Sequence, residues 1–327
     1  MGKQFTFINA RVIDPRVESE SSETLTINDG LIEKRDGGIK GKVIDCGGMC
    51  LAPGIIDIGV KVCEPGEKHK ESFRSASNAA AIGGVTSLVT RPDTKPSIDN
   101  PELLEFFKNR GREFSKVRIF PTASLTKKNN GKKITEIGFL HDGGAVAFTD
   151  GFNSIPNTKT FHQILKYASD FDTLIIGHPQ DHFLTKNTSA SSGVFASIKG
   201  LSSSPNIAEK IGIERDTALV NNINIRYHAD QITTKIGLDV LRKAKKNNKR
   251  LTAGTSVHHI LFNELDIGNY RTFFKLKPPL RNNIDREALT EAIKEGLIDN
   301  ICSMHTPQDE ESKRLPFEEA APCAVGL

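Results

Sequence analysis

From residue 54 onward the chain alternates short apolar runs of strand length with segments of helical periodicity, and this alternation narrows the possible folds more than any other feature. The runs fall at residues 55–62, 87–90, 117–121, 145–148, 174–177, 224–228, 251–254 and 300–303. Between them, residues 235–246 place Ile236, Val240 and Leu241 on one helical face, and residues 286–295 do the same with Leu289, Ala292 and Ile293. Short strands each followed by an amphipathic helix read as parallel βα units. Eight of them predict an α/β fold, a TIM-like (β/α)8 barrel.

Ahead of the barrel, residues 5–13 and 24–34 carry short alternating or β-branched runs, with Asn28-Asp29-Gly30 as a turn signal. The expected organisation is a small N-terminal β-rich domain over residues 1–53, part of a composite β-sandwich, and a barrel over residues 54–327. Residues 127–133 and 185–206 are polar and read as long loops. The eighth run stands close to the end of the sequence, so the barrel is expected to lack its last helix and to expose apolar faces that favour association.

Composition removes several functional classes. Lys and Arg number 44 against 40 Asp and Glu, a net charge of +4 spread along the chain, which is too slight for a nucleic-acid footprint. Cys46, Cys50, Cys63, Cys302 and Cys323 form no Cys-x-x-Cys pair and read as reduced thiols of a cytoplasmic protein. No leader pattern is seen, and no apolar run nears the roughly 20 residues of a membrane span, so no membrane partner is expected.

Several short motifs then appear in order: Pro53-Gly54-Ile55-Ile56-Asp57, Glu64-Pro65-Gly66, Gly83-Gly84-Val85-Thr86, Arg91-Pro92-Asp93-Thr94-Lys95-Pro96, Ala147-Phe148-Thr149-Asp150-Gly151, Pro278-Pro279-Leu280-Arg281 and Pro316-Phe317-Glu318-Glu319-Ala320. Together they resemble the dihydroorotases of the amidohydrolase superfamily over nearly the whole chain. The resemblance implies a zinc centre at the barrel mouth and reversible hydrolysis of the dihydroorotate ring.

The same resemblance exposes a contradiction. Where the family carries metal ligands and its proton shuttle, this chain has Gly59, Lys61, Gln231 and Met304. Where it carries substrate-holding residues, this chain has Cys63, Asp93, Lys277 and Gln308. Only Asp150 and His178 still match ligand positions, and a Lys61 ammonium would oppose a cation. No catalytic or substrate-binding residue and no cofactor is therefore expected. The pattern resembles the non-catalytic dihydroorotase-like chains that accompany bacterial aspartate carbamoyltransferase, which implies that enzyme as partner and a homo- or hetero-oligomer.

Alternatives stay open at this stage. Asp150 and His178 read as residual ligands, as a new site with His305 or Cys63, or, the preferred reading, as polar side chains bonded to one another. Lys61 is expected to pair with Asp150 or Asp93 and so to replace the charge of the missing zinc. An active zinc hydrolase using Asp150, His178 and His305 is the alternative, and a degenerating product is a third reading. His228 and the pair His258-His259 read as structural.

Overall fold

The computed structural model describes residues 4–33, 38–322 and 324–327, so Cys323 and residue 34 of the second N-terminal run lie outside the described residues. The chain divides into two compact units, Met1–Ile55 and Ile56–Leu327. In the first, β1 (Gln4–Asp14) pairs antiparallel with β2 (Ser19–Asn28), which pairs antiparallel with β3 (Leu31–Ile32). Parallel to β1 run β4 (Lys42–Asp45) and β5 (Cys50–Leu51). Asp29 and Gly30, both at positive φ, make the turn between β2 and β3.

The second unit is a (β/α)8 barrel. β6 (Ile55–Val60), β7 (Val85–Thr90) and β8 (Arg118–Pro121) are neighbours in one sheet. The fourth position carries a single bridge residue, Phe148, joined in parallel to Ala123 and to Ile175 of β9 (Leu174–Gly177). β10 (Ala190–Ser191) and β11 (Ser203–Ser204) are a small excursion above β9. The sheet continues in parallel through β12 (Arg226–Ala229), β13 (Leu251–Ser256) and β14 (Asn300–Cys302). Closure comes from Lys61 N, which donates to His305 O at 2.8 Å, and from Ser303 N, which donates to Asp57 Oδ1 at 2.9 Å.

The outer layer follows local sequence signals. Helices α1 (Phe73–Ile82), α2 (Pro101–Phe114), α3 (Ile137–Asp142), α4 (Thr158–Ser169), α5 (Val194–Lys199), α6 (Ile207–Ile223), α7 (Lys235–Asn247), α8 (Val257–Leu261), α9 (Asn283–Lys294) and α10 (Glu310–Arg314) alternate with the strands. Asn100, Asn157, Thr234 and Asn282 cap α2, α4, α7 and α9 by accepting a backbone N–H of the first turn, and Pro101 fits the first helical position of α2. Phe73, Leu104, Phe107, Ile164, Leu165 and Leu289 of these helices pack onto Leu88, Phe148, Ile175 and Tyr227 in one continuous core.

Three local expectations are corrected. Residues 185–206 are not one loop. β10 and β11 pair in parallel around α5, whose Ala196 joins Ala190, Leu201, Ile267, Leu276, Leu280 and Phe317 in a second apolar cluster. Helix α7 buries Gly237, Leu238 and Leu241, while Ile236 is exposed, so its apolar face is rotated from the one read in the sequence. Asn224 is the left-handed cap of α6 at φ 58°, and the strand begins only at Arg226. After β14 the only helix among the described residues is α10, and outward-facing Ile56 and Ile301 are exposed.

Candidate functional site

The barrel mouth is built where the C-terminal ends of the strands converge. Gly59 near the end of β6 has φ +82°, and a Cβ there would stand 2.7 Å from Met304 Sδ, so the thioether of Met304 occupies the space a side chain at 59 would need. Met304 and Gln231 are both buried and both at positive φ, 48° and 56°. With Phe152, Ser256, His259 and Lys277 they border a void of about 10 Å³, too small for more than one water.

Lys61 is drawn into an ionic group. Its Nζ lies 3.5 Å from Asp93 Oδ2 and 3.9 Å from Glu67 Oε2. Asp93 also accepts from Arg91, from Nε to Oδ1 at 3.1 Å and from Nη2 to Oδ2 at 2.9 Å. Burial opposes ionisation of Asp93, but Arg91 and Lys61 outweigh it and lower its pKa. Of the two partners expected for Lys61, the structure selects Asp93 over Asp150. Glu67 receives Lys70 at 2.8 Å and Lys95 at 2.9 Å as well. Burial resists its charge, yet the hydrogen bonds from Lys70 and Lys95 and the nearby Lys61 hold its pKa down to about 2.

The remaining substituted positions are distributed around this group. Cys63 is buried, its thiol 3.9 Å from Pro307 O, and burial pushes its pKa up to about 11, so it is an inert thiol. Gln308 Oε1 accepts from Lys70 at 3.1 Å. Lys277 lines a cavity of about 650 Å³ above the mouth, together with Phe152, His178, His182, Lys186 and Lys275.

Asp150 and His178 are not bonded to one another, which corrects the preferred reading. Asp150 accepts from Thr126 N at 2.9 Å and from the Thr126 hydroxyl, and that hydroxyl accepts from Gly131 N at 2.9 Å. The loop after β8 thus takes the carboxylate that the mouth would otherwise use. Burial raises the Asp150 pKa to about 6 against those donors. His178 is buried with Nδ1 unpartnered, and burial, reinforced by Lys277 and Arg91, lowers its pKa to about 3, so the ring is neutral. His305 Nε2 meets Glu71 Oε2 at 2.9 Å, while its Nδ1 accepts from Gly326 N at 3.3 Å and Leu327 N at 3.4 Å.

Two further histidines have structural partners. His228 Nδ1 pairs with Thr252 Oγ1 at 2.8 Å, and His259 bridges Ser256 Oγ and Pro278 O at 2.8 and 3.1 Å. Among the described residues, no three His, Cys, Asp or Glu side chains are grouped so as to hold a metal ion. Sequence reasoning missed Arg91 and Phe152, although opposite charges two residues apart in Arg91-Pro92-Asp93, just past a strand end, carry a signal.

Comparisons with known proteins agree with this architecture. A family model described as dihydro-orotase-like matches residues 48–237. The dihydroorotase of Bacillus pumilus is 38% identical over 314 residues, 96% of this chain and 72% of the relative. A dihydroorotase-like protein of Pseudomonas putida is 33% identical, with 97% and 76% covered. The L-hydantoinase (dihydropyrimidinase) of Arthrobacter aurescens superposes with a TM-score of 0.86 at 20% identity over 100% of this chain and 75% of the neighbour, a likeness of fold. The chain therefore belongs to the dihydroorotase-like family of the amidohydrolase superfamily.

Proposed function

We propose that this chain is a dihydroorotase homologue of pyrimidine biosynthesis that does not hydrolyse the ring and acts as a structural partner of aspartate carbamoyltransferase. A catalytic zinc needs three protein donors and an open fourth position. The donor set here does not fit that ion. Gly59 has no donor and Gln231 only a neutral amide, Met304 offers a thioether packed on Gly59, and Lys61 presents a cation. Asp150 and His305, two of the three groups an active site would use, are engaged by Thr126 and Glu71.

The observation that carries this reading is the Lys61–Asp93–Arg91 ionic group at the barrel mouth, which supplies positive charge from side chains. The partner rests on the resemblance of the chain to the non-catalytic members of the family. In a ring-opening assay with dihydroorotate and added zinc, no turnover sensitive to a chelator is expected. Turnover that a chelator abolishes and zinc restores would establish the hydrolase instead. Co-elution with purified aspartate carbamoyltransferase tests the partner, and separate elution would remove it.

A further inference from the structure

We infer that the Arg91 guanidinium serves as a permanent, protein-borne cation in the barrel mouth, joining the ends of four strand positions in place of a metal ion. The inference deepens the non-hydrolytic reading and rests on it. Arg91 follows β7 and is only 3% exposed. Its fork is engaged by both oxygens of Asp93, at 3.1 and 2.9 Å, in the bidentate geometry suited to guanidinium and carboxylate. Its flat face lies against Phe152, 3.9 Å from the ring centroid.

These contacts extend into a row. Phe152, in the segment after the fourth strand position, meets the His178 ring edge-on at 6.0 Å beyond the end of β9. On the other side, Asp93 Oδ2 lies 3.5 Å from Lys61 Nζ, which follows β6. His178, Phe152, Arg91, Asp93 and Lys61 thus cross the mouth from β9 to β6. The chain makes room for them: a Cβ on Gly151 would come within 3.4 Å of Asp93 Cγ. What remains between Arg91, Gly59, Thr149, Gly151, Ile176 and Asp230 is a void of about 10 Å³, enough for at most one water.

The chemistry explains why arginine suits this place. A metal at a barrel mouth neutralises carboxylates and fixes the strand ends that carry its ligands. A guanidinium can do both, because its donors point in a fixed plane and its charge is retained at any working pH. Unlike a metal, it cannot be removed by a chelator or lost by dilution. The mouth of this barrel is therefore expected to keep its organisation whatever the supply of zinc.

The test uses the intact chain and thermal midpoints of R91M, D93N, the double variant and R91K, with zinc content measured on each. R91M is expected to lower the midpoint by roughly 5 °C or more, and the same change made in D93N to lower it far less, since the pair acts as a unit. R91K, which keeps the charge but loses the fork and the flat face, is expected to fall between. Strictly additive losses would overturn the inference, as would an R91K variant as damaged as R91M. Should R91M yield no folded chain, R91K decides: a folded R91K supports the cation, and an unfolded one overturns it. Near one equivalent of zinc on the unaltered chain would overturn both this inference and the non-hydrolytic reading, whereas additive losses without zinc would overturn this inference alone.

Discussion

Replacing Glu67 by glutamine is expected to destabilise the barrel by about 1–2 kcal/mol at neutral pH and to matter progressively less in acid. Three ammonium groups converge on this carboxylate, Lys70 at 2.8 Å, Lys95 at 2.9 Å and Lys61 at 3.9 Å. Its fall in pKa from 4.5 to about 2 corresponds to at most roughly 3 kcal/mol of preference for the charged form. That ceiling is lowered because the Lys95 side chain is 71% exposed and its pairing is screened by water. Glutamine also keeps one oxygen for Lys70, Lys61 keeps Asp93, and Lys70 keeps Gln308.

The sign of the pH dependence follows from the direction of the shift. The folded-state pKa is depressed, so the contribution is fully present above the unfolded value near 4.5 and is lost as pH falls through about 2. Thermal midpoints of both forms should differ by roughly 1.5–3 °C at pH 7 and converge as pH drops below about 4.5. A gap that is absent at pH 7, or that stays constant into acid, would refute the view that these lysines are held by a charged Glu67.

Other outcomes follow from the same geometry. Lys61→Met should cost only about 1 kcal/mol in denaturant unfolding, because Asp93 retains Arg91 and Glu67 retains Lys70 and Lys95; an unchanged stability would count against any role for Lys61 in the mouth. Asp230 has its pKa raised to about 6, with burial outweighing Arg91 and Gln231, so its own contribution to stability should decline as pH rises from about 4 through 6. Asp230→Asn should remove that contribution, so its stability relative to wild type should rise across this range and exceed it at pH 8 by about 1–2 kcal/mol. Gly59→Ala meets both a φ of +82° and Met304 Sδ at 2.7 Å; adding Met304→Ala should recover the steric part and leave about 1 kcal/mol of backbone strain, read from midpoints of the single and double variants.

The barrel was legible because buried parallel strands are written as continuous apolar runs, and seven of the eight positions form the expected ladders. The fourth was visible only as an apolar run, because Phe148 pairs by single bridges on either side and its placement depends on β8 and β9. Helix α5 was hidden by the serines around it: Val194 and Ile198 are exposed, and its burial comes through Ala196 and Phe195 against residues distant in sequence. In α7, Gly237 faces inward beside Glu209 and Thr234, so the apolar stripe alone misplaced the buried face.

At the site, the substituted positions could be named from motifs, but their new partners could not. Thr126 takes Asp150 through a loop contact that no spacing announces. Phe152 and Arg91 lie on different strand ends and come together only when the barrel closes. Lys61 was expected to find a carboxylate, and Asp93, already paired with Arg91 two residues before it, is the one within 3.5 Å.

The most direct test of a mouth organised by side-chain charge is the zinc content of the purified, monodisperse chain after equilibration with excess zinc and removal of free ion. Less than about a tenth of an equivalent is expected, with a midpoint that a chelator does not shift. Close to one equivalent, released by a chelator with loss of stability, would contradict it.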